Sequence, residues 1–314
     1  MTRIGTSELE IFPLGLGGNT FGMTTDAPAS EGVLDAFVMG GGNFIDTADV
    51  YSAWVPGNRG GESETILGEW MRKRGNRSSI VLATKAGALA ELKGLAPETV
   101  AQAVDGSLQR LQTDYIDLYY AHYDDDSRPI EEIAATFDAV VKAGKARYVG
   151  ISNMAPERAA EWLRVAREGG LAVPVALQPE YNLVSRRGYE HDVVPLAEAN
   201  QLGVFPYFGL ASGFLTGKYR TPEDLEGAAR GGMVKGHLNE NGLRVVRAVE
   251  SVAEARGAAM ATVALAWLLA KPTVTAPLAS ATSPAQLAEL MAAPALKLTP
   301  EEVAVLDEAS QPFA

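Results

Sequence analysis

The chain has 314 residues, 47% of them hydrophobic and 21% charged, so it can bury a large core and does not read as disordered. A net charge of −12 argues against nucleic acid as the main partner, because neutralising phosphates takes clustered Lys and Arg, and any anionic ligand must meet a local basic patch. The absence of cysteine excludes disulfides, thiolate metal sites and cysteine nucleophiles.

The opening Met1-Thr2-Arg3-Ile4-Gly5 lacks an apolar signal core, and Pro, Gly or charge interrupts every later apolar run well short of a spanning length. These features predict a soluble cytoplasmic protein with no membrane partner. Residues 3–12 read as a small hairpin turning near Thr6-Ser7. Strand-like runs then recur at 14–17, 43–46, 80–85, 117–122, 148–152, 175–178, 203–208 and 274–277. Between them the apolar period lengthens from two to about 3.6. Ile66, Leu67, Trp70 and Met71 share one helical face, as do Val100, Val104, Leu108 and Leu111, and Ile130, Ile133, Phe137, Val140 and Val141. Gly40-Gly41-Gly42 ends the first helix, Pro97 opens another, and Gly144 follows a helix C-terminus. Eight strands alternating with helices predict a (β/α)8 TIM barrel as one domain over 1–314, with a short N-terminal β-hairpin. An open doubly wound sheet is the competing arrangement. Two long loops, at about 52–61 and 221–242, exceed what a minimal barrel needs and point to function or mobility.

Four polar residues, Asp46, Tyr51, Lys85 and His122, lie at or just beyond the ends of these runs, where α/β proteins place their chemistry. Asp46 and Lys85 are separated by 39 residues and Lys85 and His122 by 37, the length of a strand, a crossover helix and the next strand. A phenol donates a proton poorly near neutrality, with a reference pKa of about 10. A neighbouring lysine ammonium favours its phenolate, and a carboxylate keeps that lysine charged and oriented. Tyr51, Lys85 and Asp46 can fill those roles, and His122 can donate to a developing oxyanion. The chemistry implied is protonation of a carbonyl oxygen beside a hydride donor. Tyr51 alone also reads as a half-buried lid residue, and a competing chemistry, a barrel lyase or isomerase with Lys85 as a Schiff-base amine, needs a neutral lysine where Asp46 and Tyr51 favour a charged one. His122 with Asp124-Asp125-Asp126 resembles a metal site but lacks third and fourth ligands, so no metal is expected. Gly15-Leu16-Gly17-Gly18-Asn19-Thr20 is not a dinucleotide fingerprint, because Thr20 replaces the last glycine and no helix pattern starts there.

The segments 43–51 (Asn-Phe-Ile-Asp-Thr-Ala-Asp-Val-Tyr), Thr84-Lys85, His122, Gly150-Ile151-Ser152-Asn153, Gln178-Pro179-Glu180-Tyr181-Asn182 and 210–219 occur in an order that resembles the aldo-keto reductases over essentially the whole chain. The resemblance implies a (β/α)8 barrel that uses NADPH or NADH to reduce a small-molecule aldehyde or ketone. It makes Tyr51 the general acid, His122 the group that orients the carbonyl, and Lys85 with Asp46 the pair that tunes Tyr51. It places Ser152, Asn153 and Gln178 on the carboxamide, Tyr207 against the nicotinamide, and Phe208, Leu210, Ser212, Gly213 and Lys218 around the pyrophosphate. Gly18, Thr20 and Asp46 join the cofactor site, and Ser280, Thr282, Ser283, Gln286 and Glu289 form its adenosine end. Phe208-Gly209 departs from the common Ser-Pro, and Ser283 and Leu290 stand where many relatives carry Lys or Arg and Asn. Without that cation strict NADPH specificity is in doubt, although Arg230 or Lys235 could substitute. Phe21, Trp54 and Tyr123, with Met23 and Phe214, are expected at the substrate pocket. The resemblance also admits a nicotinamide-nucleotide-sensing regulatory subunit with little turnover. The assembly expected is a monomer.

Overall fold

The computed structural model describes residues 1–228 and 230–314. Strands β1 (Thr2–Arg3) and β2 (Glu10–Ile11) pair antiparallel, with Thr2 opposite Ile11. Their turn needs Gly5, whose φ is +47° and whose added Cβ would lie 2.5 Å from the Val175 carbonyl oxygen. Ile4, Leu9 and Ile11 are buried against Phe44, Leu118, Val175 and Phe205, so the hairpin plugs the N-terminal end of the barrel.

The barrel strands are β3 (Gly15–Gly17), β4 (Phe44–Asp46), β5 (Val81–Ala86), β6 (Ile116–Ala121), β7 (Ala146–Ser152), β8 (Ala176–Gln178), β9 (Gly203–Val204) and β10 (Leu278–Ala279), all parallel. β10 pairs with β3, and the ring closes where Val204 bridges Val274 and the Leu278 amide donates to the Pro206 carbonyl at 2.8 Å. This is the predicted (β/α)8 barrel, with two strand boundaries corrected. The seventh strand stops at Val204 because Pro206 has no amide hydrogen to extend a ladder, and Tyr207 makes only an isolated bridge to Glu180. The run at 274–277 forms the closing contacts, whereas the paired eighth strand is Leu278–Ala279.

Around the barrel run α1 (Ala27–Met39), α2 (Glu62–Arg74), α3 (Pro97–Leu111), α4 (Ile130–Lys142), α5 (Pro156–Gly169), α6 (Val194–Asn200), α7 (Gly231–Val234), α8 (Glu240–Arg256), α9 (Met260–Leu269), α10 (Pro284–Met291) and α11 (Pro300–Ala309). Their ends follow local chemistry. The Asp26 side chain caps α1, and α2 carries Glu62 and Glu64 in its first turn and Arg72, Lys73 and Arg74 in its last, complementing the helix dipole. Segment 221–242 is not a structureless loop: it holds two short 3₁₀ turns and α7, and its last residues already belong to α8. Ala229, within it, lies outside the described residues. No single described helix is long and apolar enough to cross a membrane.

Strand alternation sorts the side chains into two cores. Phe44, Ala83, Leu118, Tyr120, Ala176 and Phe205 fill the lumen, while Ile45, Leu82, Tyr119 and Ile151 face outward to the helices. Trp70, Phe137 and Trp162 are fully buried in the outer layer, each such side chain worth ~1.5–3 kcal/mol or more in removed apolar surface. The same alternation puts Asp46, two residues after Phe44, and Lys85, two after Ala83, on the lumen side at its C-terminal mouth.

Candidate active site

Lys85 is fully buried, as lysine rarely is without partners, and three acceptors surround its Nζ. It donates to Asp46 Oδ2 at 2.6 Å, to the Thr47 carbonyl at 2.7 Å and to Tyr51 Oη at 2.9 Å. Three acceptors match the three hydrogens of an ammonium. Burial pulls the Lys85 pKa down from its usual value and Asp46 opposes that pull. The complete acceptor set makes the charged form the one that fits. Asp46 accepts at its other oxygen from Gln178 Nε2, at 2.8 Å, which ties β8 to β4 across the lumen.

Tyr51 differs from its simplest sequence expectation. Burial pushes its phenol well above the usual value, and the Asp46 carboxylate pushes it further in the same direction. The phenol therefore stays protonated near neutrality, and the Lys85 contact acts on the phenolate that forms when the proton leaves. Tyr51 Oη is 3.4 Å from Asp46 Oδ2, too long for a strong bond, so its hydrogen remains available to a substrate oxygen. Burial, and then the Lys85 charge, hold the His122 imidazole well below its ordinary value and hence neutral. Its Nδ1 is buried without a partner, and its ring lies 6.2 Å from that of Tyr51.

Beside this tetrad, Asn153 donates to the His122 carbonyl at 2.9 Å and to Ser152 Oγ at 3.0 Å, and accepts from Tyr207 Oη at 2.8 Å. Ser152 Oγ donates to the Gln178 carbonyl at 2.9 Å. The ends of β7, β8 and β9 thus form one polar rim next to Tyr51. Among the described non-glycine residues, seven have positive φ. Gln112 and Gln201 cap helix ends, but Ser52, Asn153, Phe208, Ala211 and Ser212 lie in loops at this mouth, where strained backbone marks functional constraint. Ala211, Ser212 and Gly213 form a left-handed turn, and a Cβ on Gly213 would touch Lys218 Nζ at 3.0 Å. That combination of concave backbone and ammonium suits an anion.

The other sequence-assigned residues divide by exposure. Thr20 is buried, with Oγ1 3.3 Å from the Ala281 carbonyl, and Gly18 is buried with its carbonyl accepting from Ser63 at 2.8 Å. Ser280 donates to Asn19, Thr282 bonds Gln286 Oε1 through both N and Oγ1, and Ser283 caps α10 by accepting from the Gln286 amide. Glu289 is exposed on α10, Leu210 and Phe208 are half-buried, and Arg230 and Lys235 lie between β9 and α8. Trp54 and Tyr123 are half exposed and flank the tetrad. Trp54 is 6.2 Å from the Tyr51 ring, and Tyr123 stacks on His122 at 4.9 Å. Met23 Sδ is 3.2 Å from Trp54 Nε1. Phe21 and Phe214 are corrections: both are fully buried in the outer core and neither lines the open mouth. Their loops re-enter the protein, which a local apolar pattern does not reveal.

Sequence reasoning missed the Thr47 carbonyl on Lys85 and a second buried carboxyl, Asp49, although both lie within the 43–51 segment that drew attention to the site. A charged residue three positions from Asp46, on a turn between two buried anchors, was the available signal.

Residues 13–311 match the model of the Aldo/keto reductase family. The chain is 34% identical to a probable voltage-gated potassium channel subunit beta of Oryza sativa subsp. japonica, over 96% of this chain and 93% of that protein. It is 33% identical to norsolorinic acid reductase B of Aspergillus parasiticus, over 96% and 82%, and 31% identical to an uncharacterized oxidoreductase of Bacillus subtilis, over 98% and 94%. A barrel of this topology, matched over nearly its whole length, belongs to the aldo/keto reductase family and is an NAD(P)H-dependent oxidoreductase.

Proposed function

We propose that this chain is a cytoplasmic carbonyl reductase that prefers NADPH, accepts NADH, and uses Tyr51 to protonate the oxygen of an aldehyde or ketone. The observation that carries the reading is the buried chain Asp46–Lys85–Tyr51, with contacts of 2.6 and 2.9 Å, ending in a phenolic hydrogen that no strong acceptor holds. A bound reduced nicotinamide supplies the hydride. Burial keeps the Tyr51 proton in place until a carbonyl oxygen gains charge, and Lys85 stabilises the phenolate as that proton moves. Neutral His122 orients the carbonyl without competing as an acid. Ser152, Asn153 and Gln178 would hold the carboxamide, with Tyr207 against the ring. The 211–213 turn with Lys218 would meet the pyrophosphate, and Ser280, Thr282, Ser283, Gln286 and Glu289 would flank the adenosine. Steady-state NADPH oxidation across an aldehyde and ketone panel tests the reading. The relatives named as channel subunits carry the alternative, a nucleotide-sensing subunit. Tight cofactor binding without turnover on any carbonyl would select it.

Trp54 and Tyr123 form an aromatic flank beside the donor, which favours substrates bearing a flat apolar group. Trp54→Ala is expected to raise KM for an aromatic aldehyde about five- to tenfold, the loss of ~1–1.4 kcal/mol, and to change KM for a short aliphatic aldehyde far less. Equal effects on both substrates would remove Trp54 from the pocket.

Residues 280–290 contain no Lys or Arg, and Thr282, Ser283 and Gln286 bond one another around the start of α10. No bidentate clamp for a 2′-phosphate is built there. Quenching of tryptophan fluorescence should therefore give Kd values for NADPH and NADH within about tenfold, or ~1.4 kcal/mol, with NADPH tighter. A gap of a hundredfold would mean that another cation grips the phosphate.

A further inference from the structure

The turn from Asp46 to Tyr51 carries a second acidic residue, and no hydrogen bond joins its side chain to the tetrad. Asp49 is fully buried, and neither carboxyl oxygen has a partner at hydrogen-bond geometry, although the adjoining Val50 amide lies near enough to favour its charged form slightly. Other buried titratable groups lie near it. Glu64 from α2 is also fully buried and accepts from Thr84 Oγ1 at 2.6 Å and Arg110 Nε at 2.7 Å. Tyr119 from β6 is fully buried with an unpartnered hydroxyl, and its phenol is pushed up by burial and then by Asp49 and Glu64. The two nearby cations are committed elsewhere, Arg110 to Glu64 and Lys85 to Asp46. A carboxylate in this place would have no side-chain donor, only the adjoining Val50 amide to offset its charge, and a buried like charge beside it, which costs several kcal/mol and is ordinarily avoided by keeping the proton.

Backbone contacts tie that cost to the chemistry. The Thr47 amide donates to the Ala83 carbonyl at 2.9 Å and the Asp49 amide to the Lys85 carbonyl at 3.2 Å, so two bonds pin this turn against β5. The Thr47 carbonyl, on the same turn, is an acceptor of Lys85 Nζ. Any outward movement that rehydrates Asp49 pulls on the Asp49–Lys85 bond and shifts Tyr51 relative to Lys85.

We propose that Asp49 is a positioning residue that must hold a proton for the Asp46–Tyr51 turn to seat, and that losing this proton unseats Tyr51 from Lys85. The inference rests on the carbonyl-reductase reading for its rate effect but not for its effect on stability. Burial, then the charge of Glu64, raises the Asp49 carboxyl to about 7, so the group titrates in the physiological range. Tyr51 remains protonated well above that pH and His122 is neutral throughout, so neither tetrad group produces a step there. Because the folded-state pKa exceeds the unfolded one, the stabilisation is complete below about pH 4 and is lost as pH rises towards 7.

The test compares the full-length wild type with Asp49→Asn, which mimics the protonated acid, in two readouts. Wild-type kcat is expected to fall about tenfold between roughly pH 6 and pH 8, with KM nearly constant, as the protonated fraction drops. Asp49→Asn should lose that fall and keep the rate seen at the lower pH. Without any substrate, Tm of the wild type should decline from about pH 5 to pH 7 more steeply than that of Asp49→Asn. Glu64→Gln, which keeps the Thr84 bond but removes the like charge, should move the kinetic step to lower pH. A folded Asp49→Asn enzyme that keeps both the wild-type step and the wild-type melting slope overturns the assignment. If that variant does not fold, an unmoved step in Glu64→Gln overturns it instead. A wild type without turnover would refute the reductase reading, while the melting comparison still decides the role of Asp49.

Discussion

Tyr51→Phe is expected to reduce kcat for carbonyl reduction by about 10²- to 10⁴-fold, the usual contribution of a positioned general acid, and to leave the NADPH Kd within about twofold. The substitution removes one hydroxyl and keeps the ring, which lies 4.7 Å from Lys85 Nζ and packs edge-on to Trp54. Lys85 retains Asp46 and the Thr47 carbonyl, so the buried charge stays paired and the fold should persist. The loss then belongs to the transition state rather than to binding or folding. Single-turnover reduction at saturating cofactor is the measurement. Full turnover would take Tyr51 out of the mechanism, whereas a matched rise in cofactor Kd would make the residue a binding element.

Lys85→Met should cost both stability and rate. Removing the ammonium strands Asp46, a nearly fully buried carboxylate, with the Gln178 amide as its remaining strong partner, and it frees the Thr47 carbonyl of its donor. Breaking a buried ion pair by deleting one member typically costs about 3–5 kcal/mol, a Tm drop of several degrees for a domain of this size. Turnover should fall in parallel, because nothing then stabilises the Tyr51 phenolate. The double variant Asp46→Asn/Lys85→Met separates the two effects: it should recover much of the stability, since no unpaired charge remains, and none of the rate. If the double variant is no more stable than Lys85→Met alone, the ion pair is not the source of the loss. If it regains turnover, Lys85 has no part in tuning Tyr51.

The two variants probe the level at which the sequence is most readable. Asp46, Lys85 and His122 announce themselves locally, as polar residues closing short apolar runs, and a parallel strand buried on both faces leaves such residues few places except its C-terminal end. Strand alternation was equally legible: placing Phe44 and Ala83 in the lumen is enough to place Asp46 and Lys85 there. Helix boundaries followed from Pro97 and the glycines after α1 and α4, because capping and breaking act within a few residues.

Legibility failed where contacts between distant segments decide. The end of the seventh strand and the shift of the eighth depend on how Val204 and Pro206 meet 274–278 across the closing seam, some seventy residues apart in sequence. Phe21 and Phe214 read like pocket residues but are covered completely, packed in the outer core by contacts that a local apolar pattern does not reveal. The stretch 221–242 looked structureless because turns of three or four residues leave no periodic trace. The direction of the Tyr51 shift also belongs here. Lysine as a neighbour suggests a lowered phenol, yet desolvation beside Asp46 raises it.

By itself, then, the sequence determined the order of strands and helices, the barrel, the chemical types gathered at its mouth, and the family to which the chain belongs. These follow from short-range periodicity, capping and a set of motifs in fixed order. Tertiary structure alone decided which of those groups keep their protons. Desolvation and the spacing of charges are properties of the packed interior, where Lys85 finds three acceptors and Asp49 finds no side-chain donor. Two acidic residues three positions apart on one turn thereby acquire opposite roles: Asp46 as the charged partner of a buried lysine, and Asp49 as an acid whose proton the fold depends on.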